Sequence, residues 1–234
     1  MVAVLLHSIG WVESCFREKF GTPRQPGLIA TAEATLVLPA PYGSAESVRD
    51  LEQFSHLWVL FLFHQTAAKG WQPLVRPPRL GGNRKSGLWA TRSMFRPNPI
   101  GLSVVELVAI EITKTQVELQ IRGQDIIDKT PIIDIKPYLP WVDAVTDAKG
   151  GEYQRPPTAT LSIEWSPAAL QQLAQLSDRG ESLRPLLEQV IAQNPRPAYQ
   201  GDSREYGLWL EQFNFRWRVE EERVTVMAVE RWEG

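Results

Sequence analysis

Leu57-Trp58-Val59-Leu60-Phe61-Leu62-Phe63, set between His56 and His64, is the longest uninterrupted apolar run in this chain of 234 residues. It is far short of the roughly 20 residues that a membrane-spanning helix needs, and it has the length of a buried strand. Upstream, Ile29 to Leu38 carries Ala30, Ala32, Ala34, Leu36 and Leu38 at alternate positions, and residues 2–9 read as a first strand. Downstream, Gly87 to Thr91, Leu102 to Ile110, Gln116 to Ile121 and Ile132 to Ile135 are further strand candidates with β-branched content. That makes about seven strands with few helical patterns between them, apart from one short helix fitting Val48 to Phe54. Such an order favours a closed or barrel-like sheet over a doubly wound one.

The period changes after a linker-like stretch, Asp147-Ala148-Lys149-Gly150-Gly151-Glu152 and Arg155-Pro156-Pro157. Ser166-Pro167 is a helix cap with proline at the first helical position, and that helix is expected to run to about Ser177. Leu183, Leu186, Leu187, Val190 and Ile191 mark a second, amphipathic helix, stopped by Asn194-Pro195-Arg196-Pro197. Phe213, Phe215, Trp217 and Val219 then alternate, and Val224 to Val229 can return across Glu220-Glu221-Glu222 as a hairpin. The expectation is a mainly β protein, with a barrel-like N-terminal domain over residues 1–150 and a small α+β domain over residues 151–234. A hydrophobic content of 43% is ample for the core this needs.

Charge is segregated. The whole chain has net charge -2, yet no Asp or Glu occurs from Gln53 to Val105, where Lys69, Arg76, Arg79, Arg84, Lys85, Arg92 and Arg96 lie. Local cation density of this kind suits a polyanion, because phosphates bind through counterion release rather than through total charge. Prolines and glycines around these arginines make backbone that is stiff or able to approach a ligand closely. Several other chemistries lack their signatures. There is no Gly-rich dinucleotide or Walker-type loop and no nucleophile elbow. The single Cys15 and the scattered His7, His56 and His64 give no metal-ligand spacing, so no metal is expected. The first residues lack the basic region and cleavage site of a signal peptide, so the expectation is a cytoplasmic protein.

Three stretches stand out beyond the basic one. Arg122-Gly123-Gln124-Asp125-Ile126-Ile127-Asp128-Lys129-Thr130-Pro131 sets two carboxylates around an apolar pair, and suits a solvated turn as well as a binding loop. Asp134-Ile135-Lys136-Pro137-Tyr138 puts acid, base and phenol on one side of a strand, which fits a salt-bridged strand end or a chemical site. Pro23-Arg24-Gln25-Pro26-Gly27 is a proline-stiffened arginine loop. Taken in order with Phe54-Ser55-His56-Leu57-Trp58, Arg76-Pro77-Pro78-Arg79-Leu80-Gly81-Gly82, Ala90-Thr91-Arg92-Ser93 and Arg96-Pro97-Asn98-Pro99-Ile100-Gly101, these motifs resemble the TsaA-like family, whose characterised members are the TrmO tRNA N6-methyltransferases. Pro195 to Tyr199 and Asp202 to Trp217 resemble the C-terminal region of its bacterial form.

The resemblance implies a β-barrel methyltransferase that uses S-adenosylmethionine, works as a homodimer and methylates threonylcarbamoylated adenosine 3′ of the anticodon in threonine tRNA. It implies cofactor contacts at Pro23, Arg24 and Gln25, at His64 and Gln65, at Arg92, at Leu102, and at Asp125, Ile126, Ile127 and Asp128. Gln65 departs from relatives that carry an acid there, and supplies hydrogen bonds without charge. For the chemistry, Asp134 is the candidate proton acceptor, Lys136 and Tyr138 orient it or the substrate, and Asn98 meets the nucleobase edge. Arg84, Lys85 and Arg96 are candidates for tRNA phosphates or the threonyl carboxylate. An RNA-binding barrel that does not transfer methyl, or methyl transfer to another RNA adenine or a small molecule, fits the same motifs.

Overall fold

Six antiparallel strands close into a barrel in the order β1-β2-β7-β6-β3-β8. The structure is a computed structural model and describes residues 2–78, 84–157, 161–176, 178–196 and 204–231. The barrel strands are β1 (Gly10–Ser14), β2 (Glu33–Pro39), β3 (His56–Leu62), β6 (Ile100–Ile112), β7 (Gln116–Arg122) and β8 (Pro131–Pro137). Two short strands, β4 (Leu74–Val75) and β5 (Ser86–Gly87), pair as a separate ribbon. Alternation sends Leu57, Val59, Phe61, Ser103, Val105, Val117, Leu119 and Ile121 inward, and apart from the polar Ser103 these fill one core with Val12, Leu36 and Ile132.

Closure changes several sequence expectations. Residues 2–9 are not a strand: Val2, Val4 and Leu5 are exposed, and pairing begins only where Ile9 N–H reaches Ile132 O and β1 starts at Gly10. Gly10 is required there, since a Cβ would lie 2.0 Å from Val37 O on the neighbouring strand. The expected strand from Ile29 starts at Glu33. Ala30 is exposed, and Ile29 and Ala32 leave the barrel for the other core. Gly87 to Thr91 is largely a 3-10 turn over Leu88–Ala90, and the helix expected over residues 48–54 shrinks to a 3-10 turn at Leu51–Gln53. Seven expected strands therefore become six in the barrel.

The C-terminal part is a four-stranded sheet, β10-β11-β12-β9, formed by β9 (Ser162–Trp165), β10 (Glu205–Leu210), β11 (Phe213–Glu220) and β12 (Arg223–Arg231). The expected hairpin is β11 and β12, turning at Glu221-Glu222. Besides a four-residue helix α1 (Pro140–Asp143), two helices belong to this part, α2 (Pro167–Ala174) and α3 (Asp178–Ala192). Ser166 Oγ caps α2 by accepting Ala169 N–H at 3.1 Å. That helix ends at Ala174, and Ser177, like Arg79 to Asn83 and Pro197 to Ser203, lies outside the described residues.

A segment of the first part holds the two together. Phe16 pairs with Leu210 of β10, Glu211 N–H donates to Cys15 O at 2.8 Å, and the Phe16 ring lies in the C-terminal core with Leu208, Phe215 and Trp217. Phe20 stacks on Tyr206 and Trp217 at 6.3 and 6.4 Å. Gly21 adopts φ 86° directly against Leu208, where a Cβ would come within 2.7 Å. The loop between β1 and β2 is therefore seated on the C-terminal sheet.

Phe16→Ala removes a ring that is 1% exposed and leaves a cavity at this junction, so it is expected to cost about 3–5 kcal/mol of stability. The measurement is the urea unfolding midpoint, and a loss below about 1 kcal/mol would show that the ring is not a structural anchor.

Candidate functional site

The candidate residues fall into three groups, and strand register decides which belong together. Leu60 of β3 pairs with Leu102 of β6 on one side and Asp134 of β8 on the other. Cross-strand partners share a face, so Leu102, Leu60 and Asp134 form one row outside the barrel, with its ends about 10 Å apart at ordinary strand spacing. The next row on that face is Val104, Trp58 and Lys136. Lys136 Nζ lies 2.9 Å from Asp134 Oδ2, and Asp134 Oδ1 accepts Ile135 N–H at 2.9 Å. Tyr138 follows, its ring 5.9 Å from Trp58 and 6.3 Å from His56. The acid, base and phenol seen in the sequence do line one face. Asp143, which no motif flagged, fixes its end by accepting Trp58 Nε1–H and Leu139 N–H, both at 2.9 Å.

A second group is assembled from distant segments. Ser103, inward on β6, donates to Asp125 Oδ1 at 2.6 Å. Arg92 Nη1 donates to Gln25 Oε1 at 2.8 Å, and its charge also acts on Asp125. Burial pushes the Asp125 carboxyl up to about 6, with the Ser103 hydroxyl and the Arg92 guanidinium pulling the other way. Beside this group, burial and then the like charges of Lys69 and Arg24 hold Lys19 below the usual lysine range, and burial lowers Arg24 as well. The effect of Lys69 and Arg24 on Lys19 places the Pro23–Gln25 loop near the turn after His64 and Gln65, both exposed just beyond the end of β3. Asn98 is exposed at the same end, where Phe63 N–H donates to Pro99 O at 2.8 Å.

The two expected carboxylates of the 122–131 stretch separate. Asp128 Oδ1 accepts Ser14 N–H at 3.0 Å and its Oδ2 lies 4.0 Å from Arg17, so its side chain ties the loop to β1 rather than joining Arg92. The side chain of Ile126 fills the barrel core, and Ile127 O accepts the Thr130 hydroxyl. Gln124, unremarked in the sequence, is 1% exposed and holds the loop through Ser14 Oγ and the N–H of Ile126. Of the cations proposed for substrate, Arg84 pairs with Glu152 at 2.7 Å and Lys85 is exposed. Arg96 donates to Thr91 O and Ser93 O and lies over Trp89.

A cleft of about 820 Å³ opens between the Pro26–Thr31 loop, α3 and the outer barrel face, lined by His56, Val104, Glu106 and Arg122 among others. His56 and Val104 connect it to the Trp58 and Lys136 face. Its acids Glu33 and Glu106 both face Arg122, at 3.4 and 3.7 Å. Cys15 is not a nucleophile candidate, because burial pushes its thiol up to about 12. Among the described residues no cluster of three or more His, Cys, Asp or Glu could hold a metal ion, and no helix is long and apolar enough to cross a membrane.

Comparisons with known proteins point to one family. Residues 11–144 match the model of the tRNA-methyltransferase O N-terminal domain, and residues 158–232 that of the TrmO C-terminal domain. The chain is similar to the tRNA (adenine(37)-N6)-methyltransferase of Escherichia coli, 46% identical over 98% of this chain and 99% of that one. It is also 46% identical, over 89% of this chain and 90% of the relative, to a putative S-adenosylmethionine-dependent methyltransferase of Pseudomonas aeruginosa. A crystal structure of TrmO from that organism superposes with a TM-score of 0.81, at 38% identity and 99% coverage of both chains.

A buried carboxyl whose pKa is raised costs stability when ionised, so the Asp125 penalty is full above about pH 6 and gone below about pH 4. Asp125→Asn, which can still accept from Ser103, should therefore stabilise the unliganded protein at pH 8, by up to about 3 kcal/mol. Thermal melts of both proteins should converge as the pH falls from 6 to 4. A variant less stable than the parent at pH 8 would mean that the ionised carboxylate is held by net favourable contacts.

Proposed function

Given that the chain belongs to the TrmO family of tRNA methyltransferases, we propose that it methylates N6 of N6-threonylcarbamoyladenosine at position 37 of threonine tRNA, with S-adenosylmethionine as donor. The observation that carries this reading is the register row Leu102, Leu60, Asp134, which puts a carboxylate and an apolar surface on one barrel face. The acid-free basic segment supplies the complementary field for RNA.

The residues fit the donor. Asp125 and Arg92 offer opposite charges to the amino and carboxylate groups of its methionine part, Gln25 adds polar contacts, and the half-exposed Leu102 offers apolar surface. Pro23, Arg24, His64 and Gln65 border the same region, and Ile127 and Asp128 contribute from the loop that Gln124 holds in shape. When bound, S-adenosylmethionine supplies an activated methyl group on a sulfonium.

The acceptor nitrogen is poorly nucleophilic, because its lone pair is delocalised into the purine and the carbamoyl carbonyl, but its N–H is correspondingly acidic. Asp134 is the group for that proton. Its Oδ2 lies 2.9 Å from Lys136 Nζ, a contact that fixes the orientation of the carboxylate beside the acceptor nitrogen. Tyr138, packed on Trp58 and His56, and Asn98 orient the base, and alignment of donor and acceptor supplies much of the remaining acceleration. Arg84, Lys85 and Arg96 contribute to the RNA-facing cations.

The reading extends to a cytoplasmic homodimer whose barrel domain spans residues 1–150 and whose C-terminal domain spans residues 151–234. The test combines the purified protein, S-adenosylmethionine and threonine tRNA bearing threonylcarbamoyladenosine, followed by mass analysis of nucleosides. Methylated product on the modified tRNA alone is expected. Retained tRNA binding with no methylated nucleoside would make the chain an RNA-binding barrel instead.

Two variants probe the roles separately. Arg92→Ala is expected to weaken cofactor binding about tenfold in calorimetry, through loss of charge-assisted hydrogen bonds. Asp134→Asn should keep cofactor and tRNA affinity while lowering the single-turnover rate by about two decades. An unchanged rate would locate the acceptor elsewhere.

A further inference from the structure

Trp89 belongs to the acid-free segment, yet neither the charge pattern nor the methyl-transfer site uses it. The residue is 73% exposed, which is unusual for so large an apolar surface. The backbone beneath it is firmly held. Leu88, 1% exposed, anchors the 3-10 turn, its N–H donates to Pro73 O at 3.0 Å, and Thr91 donates to Leu88 O through N–H and hydroxyl at 3.0 and 2.8 Å.

One side of the indole is backed by Arg96, whose guanidinium carbon is 5.4 Å from the ring centroid. Arg96 is itself fixed by donating to Thr91 O at 3.0 Å and Ser93 O at 3.4 Å. An aromatic face open to solvent, with a locked cation behind it, is pre-organised to stack on another flat π-system. Three residues further on, Arg92 donates to Gln25 and reaches Asp125 by charge. The platform thus adjoins the cluster that would hold the methyl donor.

We propose that Trp89 is a stacking platform for an unpaired base of the tRNA anticodon loop beside the adenosine that is methylated. The proposal rests on the tRNA reading above and adds the contact that seats the loop. Charge complementarity selects this occupant. Arg76 and Lys85 are exposed and without a carboxylate partner among the described residues, and the sequence from Gln53 to Val105 offers no acid that a basic partner could use. Aromatic faces ringed by cations are the usual means of binding single-stranded nucleic acid, because every base has a π-face and every linkage a phosphate.

The test is a thermodynamic cycle with an anticodon stem-loop carrying the family substrate adenosine. Trp89→Ala is expected to weaken stem-loop affinity by about tenfold or more, and Trp89→Phe by less than about threefold, since a smaller ring still stacks. Cofactor affinity should stay at the parent value in both. Replacing each loop nucleotide in turn by an abasic one should reveal one position whose loss equals that of Trp89→Ala and is not additive with it. Parent affinity in Trp89→Ala, or additive losses at every loop position, would overturn the platform. So would conversion of the protein to a different oligomeric state by Trp89→Ala, which would assign the indole to a contact with a second copy of the chain. If the parent protein itself fails to bind the stem-loop, the tRNA reading fails and the platform with it. Binding by the parent with an unaffected variant overturns the platform alone.

Discussion

Phe16 is the residue through which the two halves of the molecule are built into one. Its ring fills the C-terminal core, its backbone pairs with Leu210, and its carbonyl accepts Asp128 N–H at 2.8 Å from the loop beside the barrel. A buried aromatic ring contributes several kcal/mol. Here that energy fixes not only the sheet contact but also the path of the chain on either side. The loop carrying Pro23 to Gln25 leaves this anchor through Phe20 and Gly21, both pressed on the C-terminal sheet. It returns through Ile29 and Ala32, which lie in the same core. The C-terminal domain thereby positions the candidate cofactor residues Pro23, Arg24 and Gln25 through the loop that carries them.

The site also shows a tension between stability and use. A carboxylate tucked behind Ser103 with its pKa raised to about 6 is a poor choice for a resting fold. The same partial desolvation strengthens whatever charged group it meets, because electrostatic attraction grows as water is excluded. The Lys19, Arg24 and Lys69 cluster follows the same logic with positive charge. Its mutual repulsion is relieved by an anion. Asp128, three residues after Asp125 and held by Ser14 and Arg17, ties the loop to β1.

Much of the fold was legible because alternation and capping are local properties. Leu57 to Phe63, Gln116 to Ile121, the Ser166 cap, the apolar stripe of α3 and the β11–β12 hairpin all follow from period and from residues adjacent in the chain. Where a strand begins was less legible. Residues 2–8 are as apolar as many strands but have no neighbour to pair with, and Ile29 and Ala32 satisfy a second core that their own alternation cannot announce. The exposure of Trp89 is set by the 3-10 turn over the buried Leu88, and aromatic exposure is not a sequence property.

By itself, the sequence determined a mainly β chain with a basic, acid-free segment, an acid-base-phenol strand face and motifs resembling one family of methyltransferases. Only the tertiary structure decided that Arg92 meets Gln25 across 67 residues, that Asp125 joins them while Asp128 turns away, and that Leu102 and Asp134 share a row through Leu60. The reason is physical: side-chain period tells which face a residue occupies, whereas its neighbours on that face are chosen by long-range strand pairing and by which buried polar groups can satisfy one another.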